Sequence, residues 1–231
     1  HSFIFSTSAK LRNNFHLLWM ICCIPLAFGI YVAYVSKAII LALPCIVLAV
    51  PAGIATTALY YAVNKVIRHS RGYLWSSFWH SFKTNMKQGA FVTLIVAAAV
   101  VLVGLDGYIM YQFAKAGEKS GVLYVVFFVL MLVVIAWAIY VFPYMARFEN
   151  STKLILKNSA LMAIGNLPKT FMALMFFLAC CIGTYLLPVV AIISPALGML
   201  LLNYILEGVF ERYMSDEDRE AENERNQEFY N

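Results

Sequence analysis

Asp106 is the one acidic residue inside a long apolar run of this chain, near the far end of residues 90–112. Ionisable groups within membrane-length apolar segments are the first places to look for chemistry. A carboxylate there could bind a cation or a proton. A single acid this close to an end more often pairs with a neighbour or reaches the interface. A second place is Pro51, followed by Thr56 and Thr57. Proline removes an interior helix hydrogen bond and disfavours helical angles at the preceding residue, Val50. A helix broken there could frame a site at mid-membrane, although a kink that serves packing alone is the commoner arrangement. Asp106, Pro51, Thr56 and Thr57 make up the candidate intramembrane polar site.

Motifs that would carry catalysis are missing from the sequence. It holds no Gly-Lys-Ser/Thr phosphate loop, no His-Glu-x-x-His and no Gly-x-Ser-x-Gly. His1, His16, His69 and His80 are not spaced as a metal cluster. Cys22, Cys23, Cys45, Cys180 and Cys181 all lie in apolar runs, two sets of them adjacent. They read as small buried hydrophobes rather than as a disulfide framework or a metal site. The expectation is therefore a protein that is not an enzyme and has no catalytic residue, cofactor or metal.

The composition sets the class. Of 231 residues, 62% are hydrophobic and 13% charged, against roughly half and a quarter in ordinary soluble domains. Several apolar runs approach or exceed the ~20 residues that cross a bilayer. The chain reads as an all-α membrane protein, a six-span helical bundle with interfacial amphipathic helices on the cytoplasmic side. The spans fall at about 15–35, 38–63, 90–112, 121–146, 170–187 and 189–210, within a transmembrane domain of residues 15–210. Pro25 and Gly29 interrupt the first, and Pro44, Pro51 and Gly53 the second. Residues 170–206 carry no charge and are split near Pro188; a re-entrant pair is the competing reading. Residues 1–14 are mixed and suit an interfacial N-terminal segment or a loose tail. The chain starts at His1 rather than Met, which points to a start inside a longer gene product. Residues 215–231 hold seven acids and two Arg, an acidic cytoplasmic tail.

Outside that tail the chain has 15 basic and five acidic residues. The basic excess sits in connections between spans, which fits an anionic leaflet and not nucleic acid. With six spans, one side collects 14 Lys/Arg and the other only Lys37, Lys115 and Lys119. By the positive-inside rule the protein is a multi-pass cell-membrane protein with both termini cytoplasmic.

Two connections could make a surface on that side. Between Asn64 and Gly89 there are five Lys/Arg and no acid. There Leu74, Trp75, Phe78, Trp79, Phe82 and Met86 follow one helix face, opposite Ser76, Ser77, His80, Ser81, Lys83, Thr84 and Lys87. Such a helix suits the headgroup layer. The second connection, 147–169, carries Arg147, Lys153, Lys157 and Lys169 with one acid, Glu149. Trp75, Trp79, His80, Lys83, Lys87, Arg147, Glu149, Lys153 and Lys157 are the candidate cytoplasmic interface. Membrane anchoring explains the basic helices simply, and helix-end ion pairing explains Arg147 and Glu149 with Glu207 and Glu211; docking of a partner is the sharper reading. Asn85-Met86-Lys87-Gln88 before one span parallels Asn166-Leu167-Pro168-Lys169 before another, which is compatible with a parallel duplication.

Several strings also carry a resemblance. They are residues 51–61 (Pro-Ala-Gly-Ile-Ala-Thr-Thr-Ala-Leu-Tyr-Tyr), the aromatic-basic residues 72–89, Ala146-Arg-Phe-Glu-Asn150 and Leu156-Lys-Asn-Ser-Ala160. Together they resemble the YesL-like family of bacterial integral membrane proteins, a domain of unknown function, from about Leu17 to Leu187. Val50 departs from the family, which often has Gly before the Pro-Ala step. The resemblance implies an accessory membrane protein linked to carbohydrate uptake in Gram-positive bacteria, where such genes often lie beside carbohydrate ABC transporter genes. It implies an ABC permease as a partner, with the ATPase subunit reached through the connection 149–168, and it supplies no catalytic residue. Membrane lipid as a partner follows from the apolar runs and the aromatic-basic helices. The alternative is an autonomous small-solute carrier or channel with its site near the Pro51 break.

Overall fold

The computed structural model describes residues 15–69, 74–187, 190–214, 216–217 and 219–220. The expected N-terminal segment 1–14, the turn at Pro188 and most of the acidic tail lie outside the described residues.

Among the described residues the chain is all helix, without a strand. Its helices are α1 (Phe15–Ser36), α2 (Pro44–Leu48), α3 (Val50–His69), α4 (Leu74–Thr84), α5 (Met86–Lys115), α6 (Tyr124–Arg147), α7 (Thr152–Gly165), α8 (Leu167–Leu186) and α9 (Val190–Tyr213), with short 3-10 turns at Ile39–Ala42 and Lys119–Leu123. Among the described residues four helical segments are long and apolar enough to cross a membrane: Leu18–Ser36, Met86–Lys115, Lys119–Arg147 and Leu167–Leu186. The pair Ile39–Leu48 and Val50–Lys65, bent by 44°, counts as a fifth if it is one span. The protein is thus a membrane-type helical bundle.

The bend corrects one expectation. Val50 is not pushed out of the helix; it is the first residue of α3, and the break falls at Ala49. Pro51 then occupies the first turn of the new helix, where its missing N–H costs nothing. The Gly53 N–H still reaches the Ala49 carbonyl at 3.0 Å. Helix α3 also runs past the expected end at Val63, on to His69.

Helix α3 is the centre of the bundle, packed by α1, α2, α4, α5, α6 and α9. Small residues allow this crowding: Ala55, Ala58 and Ala62 are fully buried. The buried positions of α5 are Gly89, Val92, Thr93 and Val96, all in its first half. Those of α6 lie between Ile139 and Met145, and those of α8 are Thr170 and Ala173. The core therefore sits at one end of the bundle, the end that carries α4 and α7, called here the basic side. Beyond Val96, about 28 Å of α5 continues as a hairpin arm with α6. Gly104 faces Met131 and Gly107 faces Phe127, while Gly121 lies directly on the Ala114 backbone. Gly117 takes a φ of +81° in the connection, a conformation that costs glycine little.

The parallel between the two asparagine strings has a geometric counterpart. Asn85 donates its backbone N–H and its carboxamide to the Ser81 carbonyl at 3.0 and 3.1 Å. Asn166 does the same to the Met162 carbonyl, at 3.1 Å for both bonds. Each then accepts the N–H four residues on, from Gly89 and Thr170. The two units α3–α4–α5 and α6–α7–α8 thus share one plan: a long helix, a shorter lysine-bearing helix, an asparagine hinge and a further long helix.

Candidate functional site

Polar side chains gather on the basic side, where α6, α7, α8 and α9 meet. Arg147, the last residue of α6, donates from Nη2 to Glu207 Oε1 of α9 at 3.1 Å, with side chains only 8% and 18% exposed. One helical turn back, the Tyr144 hydroxyl accepts Nδ2–H bonds from Asn150 and Asn158, both at 3.0 Å. The backbone oxygen of Asn150 accepts from Gln88 Nε2 at 2.7 Å, which ties α5 to the α6–α7 connection. Trp137 Nε1 donates to the Leu156 carbonyl and to Ser159 Oγ. Tyr140 and Thr170 share a hydroxyl bond of 2.9 Å, and Asn166 Nδ2 reaches Tyr213 Oη at 3.3 Å. Helix α7 is thereby fixed across the last three turns of α6. Tyr144→Phe is expected to cost about 1 kcal/mol, because two carboxamides lose their acceptor. A thermal midpoint in detergent unchanged from the wild type would rule out that role for the hydroxyl.

The candidate intramembrane site does not come together as one place. Thr56 Oγ1 donates to the Ala52 carbonyl at 2.8 Å and accepts Trp19 Nε1–H at 2.9 Å. Thr57 Oγ1 donates to the Gly53 carbonyl at 3.3 Å, and Thr93 to the Gly89 carbonyl at 2.6 Å. These hydroxyls are engaged by their own helices, and Gly53 presses directly against Thr93. Asp106 is exposed on α5, about 20 Å along the helix from Thr93.

The candidate interface divides. Trp75, Trp79, His80, Lys83, Lys87, Glu149, Lys153 and Lys157 are exposed. Arg147 instead turns inward to Glu207, because a guanidinium buried at a helix end needs a carboxylate. The expected two faces of α4 also require correction. Ser77 and Ser81 are buried beside Phe78, whereas Trp75, Trp79 and Met86 point outward. The helix has three sectors: one packs on α3, one is aromatic and outward, and one is polar and outward. The cysteines differ from expectation too. Cys45 is buried, Cys22, Cys23 and Cys180 are half-buried and Cys181 is exposed, since a thiol on an outward apolar helix face needs no protein cover.

Two buried amides carry no motif in the sequence. Asn64 on α3 and Asn203 on α9 are 8% and 3% exposed, and Asn64 Oδ1 and Asn203 Nδ2 have no hydrogen-bond partner. Asn203 sits one turn from Glu207 on the same α9 face, and that spacing of a carboxamide and a carboxylate was the available signal. Among the described residues no group of three or more His, Cys, Asp or Glu could hold a metal ion.

The aromatic-basic helix α4, packed on the crowded α3, lies within the part of the chain that matches a family model. Residues 13–107 match the family model described as "Protein of unknown function, DUF624". That match covers α1 to most of α5, including both residues 51–61 and residues 72–89, and stops before Ala146-Arg-Phe-Glu-Asn150. No curated protein and no solved structure matches the chain.

Proposed function

We propose that the chain is a multi-pass membrane protein with six spans and both termini cytoplasmic, and that it serves as a non-catalytic accessory partner of a carbohydrate ABC transporter. The observation that favours a partner is the uneven packing. The core fills the basic half, while the arm formed by α5 and α6 leaves Val125, Val126, Phe128, Val129 and Val133 exposed on successive faces of α6. An arm this bare offers an apolar surface to helices of another membrane protein as readily as to lipid. Six spans fit the lengths of α8 and α9, 20 and 24 residues. Each is long enough to cross a bilayer of ~30 Å on its own, which favours a spanning pair over a re-entrant one.

The carrier reading has less support, since the hydroxyls near the bend are engaged and Asp106 lies far from them. Purification from the native membrane in mild detergent separates the two. Recovery together with a permease or its ATPase is expected. Recovery alone, under conditions that keep other transporter complexes intact, would refute the accessory role.

A further inference from the structure

We infer that α4 and α7 form a docking surface for anionic lipid headgroups, with the tryptophans of α4 at the headgroup boundary and nearby lysines on the phosphates. This does not depend on the transporter reading; it rests on the placing of α4 at the membrane boundary.

The geometry comes from the outward sectors of α4. Trp75, Trp79 and Lys83 follow one another at i, i+4 and i+8, and all are exposed, Trp75 at 47% and Trp79 at 41%. Lys83 Nζ lies 5.8 Å from the Trp79 ring centroid, so cation and aromatic act as one unit. The neighbouring ridge is Ser76, His80 and Thr84, also exposed. The helix cannot roll to hide its tryptophans. Phe78 is fully buried against α3, Ser81 is buried, and Asn85 Nδ2 contacts Ser81 Oγ at 3.2 Å.

What covers the face follows from its position and its charge. Met86, 48% exposed, opens the membrane-length helix α5 just past the Asn85 hinge, so α4 is joined directly to a span. A face joined in this way to a span lies where indole rings prefer to sit, between acyl chains and headgroups. Helix α7 adds further cations beside apolar side chains: Lys153 and Lys157 are exposed on the same side as Leu161 and Ile164. From Pro51 to Leu105 there is no acid, and Glu149 is the only one between Lys119 and Leu206. A surface of lysines and tryptophans nearly free of carboxylates is complementary to phosphate-bearing anionic lipid.

The test uses the whole protein in nanodiscs of an equal mixture of phosphatidylcholine and phosphatidylglycerol, with the lipids that stay bound on extraction counted by mass spectrometry. The wild type is expected to retain phosphatidylglycerol in preference. The double variant Lys83→Gln, Lys87→Gln is expected to lose about fivefold or more of that preference. Lys115→Gln, Lys119→Gln, two lysines removed from the opposite connection, is expected to keep it. An unchanged preference in the first variant, or an equal loss in the second, would overturn the assignment. Should the first variant fail to fold, the wild type alone decides. Tail-brominated phosphatidylglycerol is expected to quench its tryptophan fluorescence more than tail-brominated phosphatidylcholine at the same mole fraction, and equal quenching would overturn the assignment.

Discussion

Glu207→Ala is expected to destabilise the protein by about 3–5 kcal/mol, the usual cost of breaking a buried ion pair by removing one partner. The Arg147 side chain is 8% exposed and its Nη2 lies 3.1 Å from Glu207 Oε1. Truncating Glu207 leaves a cation in a place that water reaches poorly. The same pair joins the end of α6 to α9, where Phe210 packs edge-on against Tyr144 and Phe148 at 6.3 and 5.8 Å, so the loss spreads into an aromatic cluster. The informative comparison is a double-mutant cycle on thermal midpoints in detergent. Arg147→Met with Glu207→Met is expected to lose clearly less than the two single changes added together, because an apolar pair leaves no charge unpaired. Fully additive losses would show that the two side chains act separately.

Gly53→Ala is expected to cost about 2–3 kcal/mol, at the upper end of the usual overpacking range. A Cβ built at Gly53 lands on Oγ1 and Cγ2 of Thr93. Thr93 cannot swing aside easily, because its hydroxyl is held by the Gly89 carbonyl at 2.6 Å and its side chain is β-branched and buried. Gly53→Val should leave little folded protein in size-exclusion chromatography. Removing the obstacle is the control: Thr93→Gly in the Gly53→Ala background is expected to recover a large part of the loss. An unperturbed midpoint in Gly53→Ala would mean that α3 and α5 do not approach this closely.

Much of the helix plan is legible in the sequence because a bilayer-length apolar run has few alternatives. The run expected at 15–35 is α1 to within a residue, and those at 90–112 and 170–187 lie within or close to α5 and α8. The break near Pro51 is also visible. Its place is not, because proline permits two outcomes: distortion of the residue before it, or the start of a new helix one residue earlier. Burial on α4 is hidden for a different reason. Periodicity separates apolar from polar residues, but a helix wedged between protein and lipid can bury serines and expose tryptophans, and both faces then satisfy the same pattern. Arg147 illustrates the limit for single charges. Its pairing with an acid at the end of the last span is legible from the sequence, but sixty residues separate it from Glu207, and only the packing of α6 on α9 selects that carboxylate and buries the pair. The two asparagine strings are the opposite case, since a short local similarity corresponds to the same four-residue bond pattern at both hinges.

The topology underlies the whole account, and side-specific labelling tests it directly. In a background without the native cysteines, Lys119→Cys and Lys153→Cys place one thiol on each side of the bundle. A membrane-impermeant maleimide applied to intact cells is expected to modify the thiol at position 119 and to reach that at position 153 only after permeabilisation. The reverse pattern, or labelling of both positions in intact cells, would contradict a basic side that faces the cytoplasm.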